Sequence, residues 1–163
     1  MKKTNRKNLK YGVFIGVFFL AIFLLPGLFN KNKESNIAHA ETLTVYKDPS
    51  CGCCGNYAAY MRREGYDVEV IATTDMNSIK EKYNIPKNMQ SCHTTVLGNE
   101  EYVIEGHIPV EAVQKLTQEK PDLAGIAMPG MPSGSPGMPG AKRGTFNIHG
   151  IDREGGVSQF IEL

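Results

Sequence analysis

Cys51-Gly52-Cys53-Cys54 sets three thiols within four residues, between a segment of strand character and one of helical character. Thiols in the first turn of a helix meet unpaired backbone N–H groups and the positive end of the helix dipole. Both favour thiolate, so lowered pKa values are expected for these cysteines. Thiolate is the form that attacks disulfides and binds soft metal ions. Cys51 and Cys54 alone have the CxxC spacing of a redox centre, with Cys51 as nucleophile and Cys54 as the resolving thiol. Cys53 makes the cluster look more like a soft-metal site.

Further donors lie downstream. Cys92 is followed at once by His93, just before a predicted strand. His107 sits in Glu105-Gly106-His107-Ile108-Pro109, ahead of a predicted helix. Met128, Met131 and Met138 punctuate a Pro/Gly-rich stretch with neither helical nor strand period. Core packing cannot be assumed for thioethers there. Thiolate, thioether and imidazole together are the ligand set of Cu(I), and the carboxylates that harder ions prefer are missing from the motif. Thiolates also bind zinc and silver.

Each feature has a plainer reading. Four cysteines in an exported domain can form two structural disulfides, with three pairings open. The crowding of residues 51–54 weighs against this, because a structural bridge does not need three cysteines side by side. His93 can close a strand, His107 can hold a turn, and the methionines can fill gaps in a core. His149 reads as a structural strand residue, Tyr57 and Tyr60 as core. His39 has no argued role.

The elements that must position these groups alternate between strand and helix. Residues 43–46 form a first strand, 57–64 a first helix closed by Gly65, and 68–71 a second strand. Residues 77–83 form a short helix with Ile79 and Tyr83 on its buried face. Residues 94–97 and 102–104 make a hairpin around Gly98-Asn99. Pro109 opens a third helix, with Val110, Val113 and Leu116 on its apolar side and Lys120-Pro121 as its end. Residues 145–151 and 157–161 make a terminal hairpin. The order β-α-β-α-β-β-α, with cysteines at the carboxyl end of the first strand, predicts an α/β fold. It is a thioredoxin-like sheet with flanking helices, plus a Met/Pro/Gly loop and a C-terminal β-hairpin. In that topology the segment holding Cys92 and His93 lies against the first helix.

The chain divides into residues 1–40, a signal or membrane anchor, and residues 41–163, the metal-binding domain. Lys2, Lys3, Arg6, Lys7 and Lys10 precede an uncharged apolar run at residues 11–29, long enough to span a bilayer with its basic flank in the cytoplasm. Ala38-His39-Ala40 fits a signal-peptidase site. Tethering through residues 11–29 and release after cleavage near Ala40 both stay open, and both place the domain outside the cytoplasm. From Glu41 onward 11 Lys/Arg stand against 16 Asp/Glu, a formal charge of −5, which argues against nucleic acid as a partner.

With these residues in place, the chain resembles a family of small exported metal-binding proteins that includes the copper-resistance protein CopG. The resemblance spans roughly residues 43–162. It rests on Tyr46-Lys47-Asp48-Pro49-Ser50-Cys51-Gly52-Cys53-Cys54, Ser91-Cys92-His93-Thr94, Glu105-Gly106-His107-Ile108-Pro109, and the run from Met128-Pro129-Gly130-Met131 to Gly137-Met138. It implies a thioredoxin-like fold, copper binding and a role in copper handling outside the cytoplasm, and a copper-transport or copper-oxidase protein is a candidate partner. Cys51, Cys53, Cys54, Cys92, His93, His107 and the three loop methionines are the ligands it implies. Ordinary thioredoxins carry a proline just before the third strand, where this chain carries Cys92-His93. Metal handling therefore leads, and a thiol–disulfide oxidoreductase acting on protein substrates through Cys51 and Cys54 is the alternative.

Overall fold

The computed structural model describes residues 41–163. The apolar segment at residues 11–29 and the Ala38-His39-Ala40 site lie outside the described residues. Among the described residues no helix is long and apolar enough to cross a membrane.

One seven-stranded sheet organises the described residues, in the order β2-β1-β3-β4-β5-β6-β7. The first strand, β1 (Thr42–Lys47), alternates as a strand with one covered face must, burying Leu43, Val45 and Lys47. It pairs in parallel with β2 (Asp67–Ala72) at the sheet edge and antiparallel with β3 (His93–Leu97). Strand β3 is buried at every residue, because it lies between β1 and β4 (Tyr102–Glu105) and is covered on both faces. Strands β5 (Gly125–Ala127), β6 (Asn147–Ile151) and β7 (Val157–Glu162) extend the sheet.

Helix α1 (Gly52–Arg63) buries Cys54, Tyr57, Ala58 and Met61, the spacing of a single helical face. Helix α2 (Met76–Lys82) starts at Asp75, whose carboxylate accepts from the Ser78 backbone N–H at 3.1 Å. Helix α3 (Val110–Glu119) buries Val110, Ala112, Val113 and Leu116, and stops at Lys120 in left-handed conformation. The core packs Leu43, Val45, Tyr57, Met61, Ile104, Leu116, Ile126 and Ile148 into one cluster. Each fully buried Leu or Ile there contributes about 1.5–3 kcal/mol relative to exposure.

The expected element order is the observed one, with three differences. Helix α1 begins at Gly52, not Tyr57. The Cys-Gly-Cys-Cys run, expected at the helix start, carries no apolar period of its own, so the apolar pattern places the boundary too late. Strand β5 was not expected, since three residues are too few to show an alternation. On α2, Ile79 and Tyr83 are only half-buried and the buried residue is Lys80.

Strand direction decides where the site forms. Lys47 at the end of β1 pairs with His93 at the start of β3. Thr94 pairs with Glu105 at the end of β4, and Glu105 pairs with Ala127 at the end of β5. The cysteine turn, Cys92-His93, Gly106-His107 and Met128 therefore all leave the same end of the sheet.

Candidate metal centre

Asp48 shapes the turn that delivers the cysteines. Its Oδ1 accepts from the Ser50 N–H at 2.8 Å, and its carbonyl accepts from the Cys51 N–H at 3.0 Å. Cys51 then caps α1, and Cys53 and Cys54 fall in its first turn. Cys51 and Cys54 are joined by a disulfide, their Cα atoms 5.5 Å apart as such a bridge requires. This differs from the expectation of three thiolates at the helix start. The cap and the third helical position lie on the same side of the turn, within bridging distance of each other.

The other two cysteines are free, and each stands beside one end of that disulfide. Cys53 Sγ is 3.6 Å from Cys51 Sγ, and Cys92 Sγ is 3.6 Å from Cys54 Sγ. The four sulfurs lie within 4.8 Å of one another. Cys54, Cys92, His93 and His107 form a second group of the same size that shares Cys54 and Cys92 with the first.

Both histidines are completely buried. His107 Nδ1 lies 2.6 Å from the Pro136 carbonyl, which can only accept, so Nδ1 carries the proton. Nε2 is left with its lone pair facing Cys92 Sγ at 3.1 Å. His93 Nδ1 is 3.4 Å from the same sulfur, and His93 Nε2 is buried with no hydrogen-bond partner. The His93 ring lies 4.6 Å from that of Tyr57 and 4.7 Å from that of His107. Tyr57, expected only as core, also donates its hydroxyl to the Ile108 carbonyl at 3.2 Å.

Burial sets the protonation states. It pushes the Cys92 thiol up to about 11, and the adjacent Cys53 adds to the shift. Burial holds His93 well below the usual imidazole range, reinforced by His107 and Lys80. His107 is lowered by burial, against the opposing pull of the Pro136 carbonyl. Neutral imidazole is the metal-binding form.

The loop methionines occupy different environments. Met128 belongs to the apolar core, Met131 is exposed, and Met138 lines an open cleft with Cys53, Asn56, Ala59 and Arg63. The loop reaches that cleft because residue 137 is glycine. Its φ is +82°, and a Cβ there would lie 2.6 Å from the Tyr57 nitrogen and 2.9 Å from the Cys53 carbonyl. His149 lies in β6, the strand expected for it.

Sequence reasoning missed Lys80 and Glu105, a buried ion pair beneath this site. Glu105 had one available signal, an acid ending an apolar strand immediately before Gly106-His107. Lys80 had none, since a lysine on a short polar helix reads as exposed.

Residues 89–138 match the family model described as "Protein of unknown function, DUF411". No curated protein matches the chain. Two solved structures, both named copper resistance protein CopG, are similar throughout the fold. Form 1 is 36% identical with a TM-score of 0.68, over 75% of this chain and 96% of its own. Form 2 is 35% identical with a TM-score of 0.70, over 76% of this chain and 98% of its own. With that identity over nearly the whole of each relative, the chain belongs to the family of the copper resistance protein CopG.

Proposed function

We propose that this protein binds copper outside the cytoplasm and serves in copper handling. The observation that carries the reading is the pair of overlapping donor groups, four sulfurs in one and two sulfurs with two imidazoles in the other. Soft thiolates with neutral imidazole fit Cu(I). His93 Nδ1, 3.4 Å from Cys92 Sγ, is the imidazole nitrogen that faces the donor group. In this reading Cys51, Cys53, Cys54, Cys92, His93 and His107 are the ligands, with Met138 at the entrance beside Cys53. The named relatives support copper as the ion.

The Cys51–Cys54 disulfide supports a redox version of the same reading. Two Cu(I) ions, each giving one electron, reduce the disulfide to two thiols with uptake of two protons. In reverse, two Cu(II) ions accept one electron each as the two thiolates join. Cys51 and Cys54 are then the redox-active pair. A copper-transport or copper-oxidase protein is the expected exchange partner. Residues 11–29 would tether the domain to the membrane, or cleavage near Ala40 would release it.

Anaerobic Cu(I) titration of the reduced chain against a competing chelator, with thiols counted, tests the proposal. Tight binding that is lost when Cys51, Cys53 and Cys54 are replaced supports it. Absence of binding with four accessible thiols turns the assignment to disulfide exchange with protein substrates. Trapping a mixed disulfide in a Cys54→Ser variant is then the measurement.

A further inference from the structure

Glu105 ends β4 with a fully buried side chain, and no step above uses it. Its Oε1 accepts from the Ser91 backbone N–H at 2.6 Å and from the Lys80 ammonium. Its Oε2 accepts from the Thr94 hydroxyl at 2.7 Å, and Lys80 Nζ donates to the same Thr94 oxygen at 3.2 Å. Ser91 immediately precedes Cys92, and Thr94 immediately follows His93. One carboxylate thus holds both ends of the dipeptide that supplies a thiol and an imidazole. Apolar residues would fill the same space without desolvating two charges. An ion pair here makes physical sense as a device that fixes a particular backbone path.

Glu105 also leads directly into the third donor. Gly106, at φ +89°, turns the chain to His107, and a Cβ on it would lie 2.7 Å from the Met128 carbonyl and 2.9 Å from Ser91 Oγ. The carboxylate that holds Ser91 therefore sits at the root of the turn carrying His107.

We propose that Glu105, anchored by Lys80, is the positioning residue that sets Cys92 and His93 against Cys54 and His107. In naming these as metal donors the inference rests on the copper reading. Its effect on Cys92 is measurable without copper.

The test is alkylation of the metal-free full chain with the Cys51–Cys54 disulfide intact, following Cys92 and Cys53 separately by mass spectrometry. Glu105→Gln should speed alkylation of the half-buried Cys92 and change the rate at Cys53, carried by α1, far less. The NMR ring resonances of His93 and His107 should shift in the same variant. Cu(I) affinity should fall about tenfold to a hundredfold, as for groups that orient metal ligands. An unchanged Cys92 rate, or equal acceleration at both thiols, overturns the proposal. If Glu105→Gln does not fold, Thr94→Val decides. It keeps the ion pair and removes one anchor, so faster alkylation at Cys92 alone supports the proposal and an unchanged rate overturns it. Failure of the wild-type chain to bind Cu(I) removes the copper reading, and the alkylation result still decides the positioning role.

Discussion

His107 presents its Nε2 lone pair to Cys92 Sγ at 3.1 Å because its Nδ1 proton is committed to the Pro136 carbonyl. The Pro/Gly loop therefore sets the tautomer of a residue nearly thirty positions away. With Nδ1 protonated, the Nε2 lone pair is free to bind a metal ion held by the same sulfur.

Cys92 gives this relationship a pH signature. Its folded pKa of about 11 lies above the ordinary thiol value of 9.0, so the folded state holds the proton more tightly than the unfolded chain. The stability from that proton is present below about pH 9 and is lost as pH rises through about 11. Cys92→Ser should make the alkaline fall in metal-free stability shallower, as read by denaturation at a series of pH values. Cu(I) binding must displace the same proton, so affinity should rise with pH across the neutral range. Chelator competition at two pH values checks the sign.

The disulfide should gate capacity. The protein as folded offers two free thiols, Cys53 and Cys92, and reduction should bring the count to four. Cu(I) bound per chain should rise with the thiol count. Equal uptake by the oxidised and reduced forms would show that Cys51 and Cys54 are not ligands.

Gly137→Ala should damage the site from outside it. A methyl group 2.6 Å from the Tyr57 nitrogen forces the loop away from α1, and φ of +82° adds strain. A loss of roughly 1–3 kcal/mol is expected from chemical denaturation. Movement of Pro136 should also free the His107 tautomer, visible in its ring nitrogen shifts by NMR.

The methionines should separate by role. Met128→Ala removes a core side chain and should lower stability by about 2–5 kcal/mol. Met138→Ala, in the open cleft beside Cys53, should change stability by less than about 0.5 kcal/mol and slow Cu(I) delivery to the protein. Denaturation curves and stopped-flow transfer from a Cu(I) donor separate the two variants.

The donor types, and the order of the helices and of every strand but β5, can be read from the residues alone. Cysteine, histidine and methionine identities carry soft-ligand chemistry wherever they sit. The Cys-x-x-Cys spacing places its first and last residues on one side of a helix start. Alternation in residues 43–46 and the glycine turn at residues 98–99 are local patterns, and local patterns survive folding. Tertiary structure decided which donors meet. Antiparallel pairing of β1 with β3 and of β3 with β4 brings Cys51, Cys92 and His107 off one end of the sheet, a matter of strand direction that no local pattern records. It decided that Cys51 and Cys54 are joined, that Met128 is core while Met138 faces the cleft, and that Lys80 lies inside against Glu105. A lysine at a helical position reads as solvated until a buried carboxylate reaches it. Only packing brings together two charges that stand far apart in the chain.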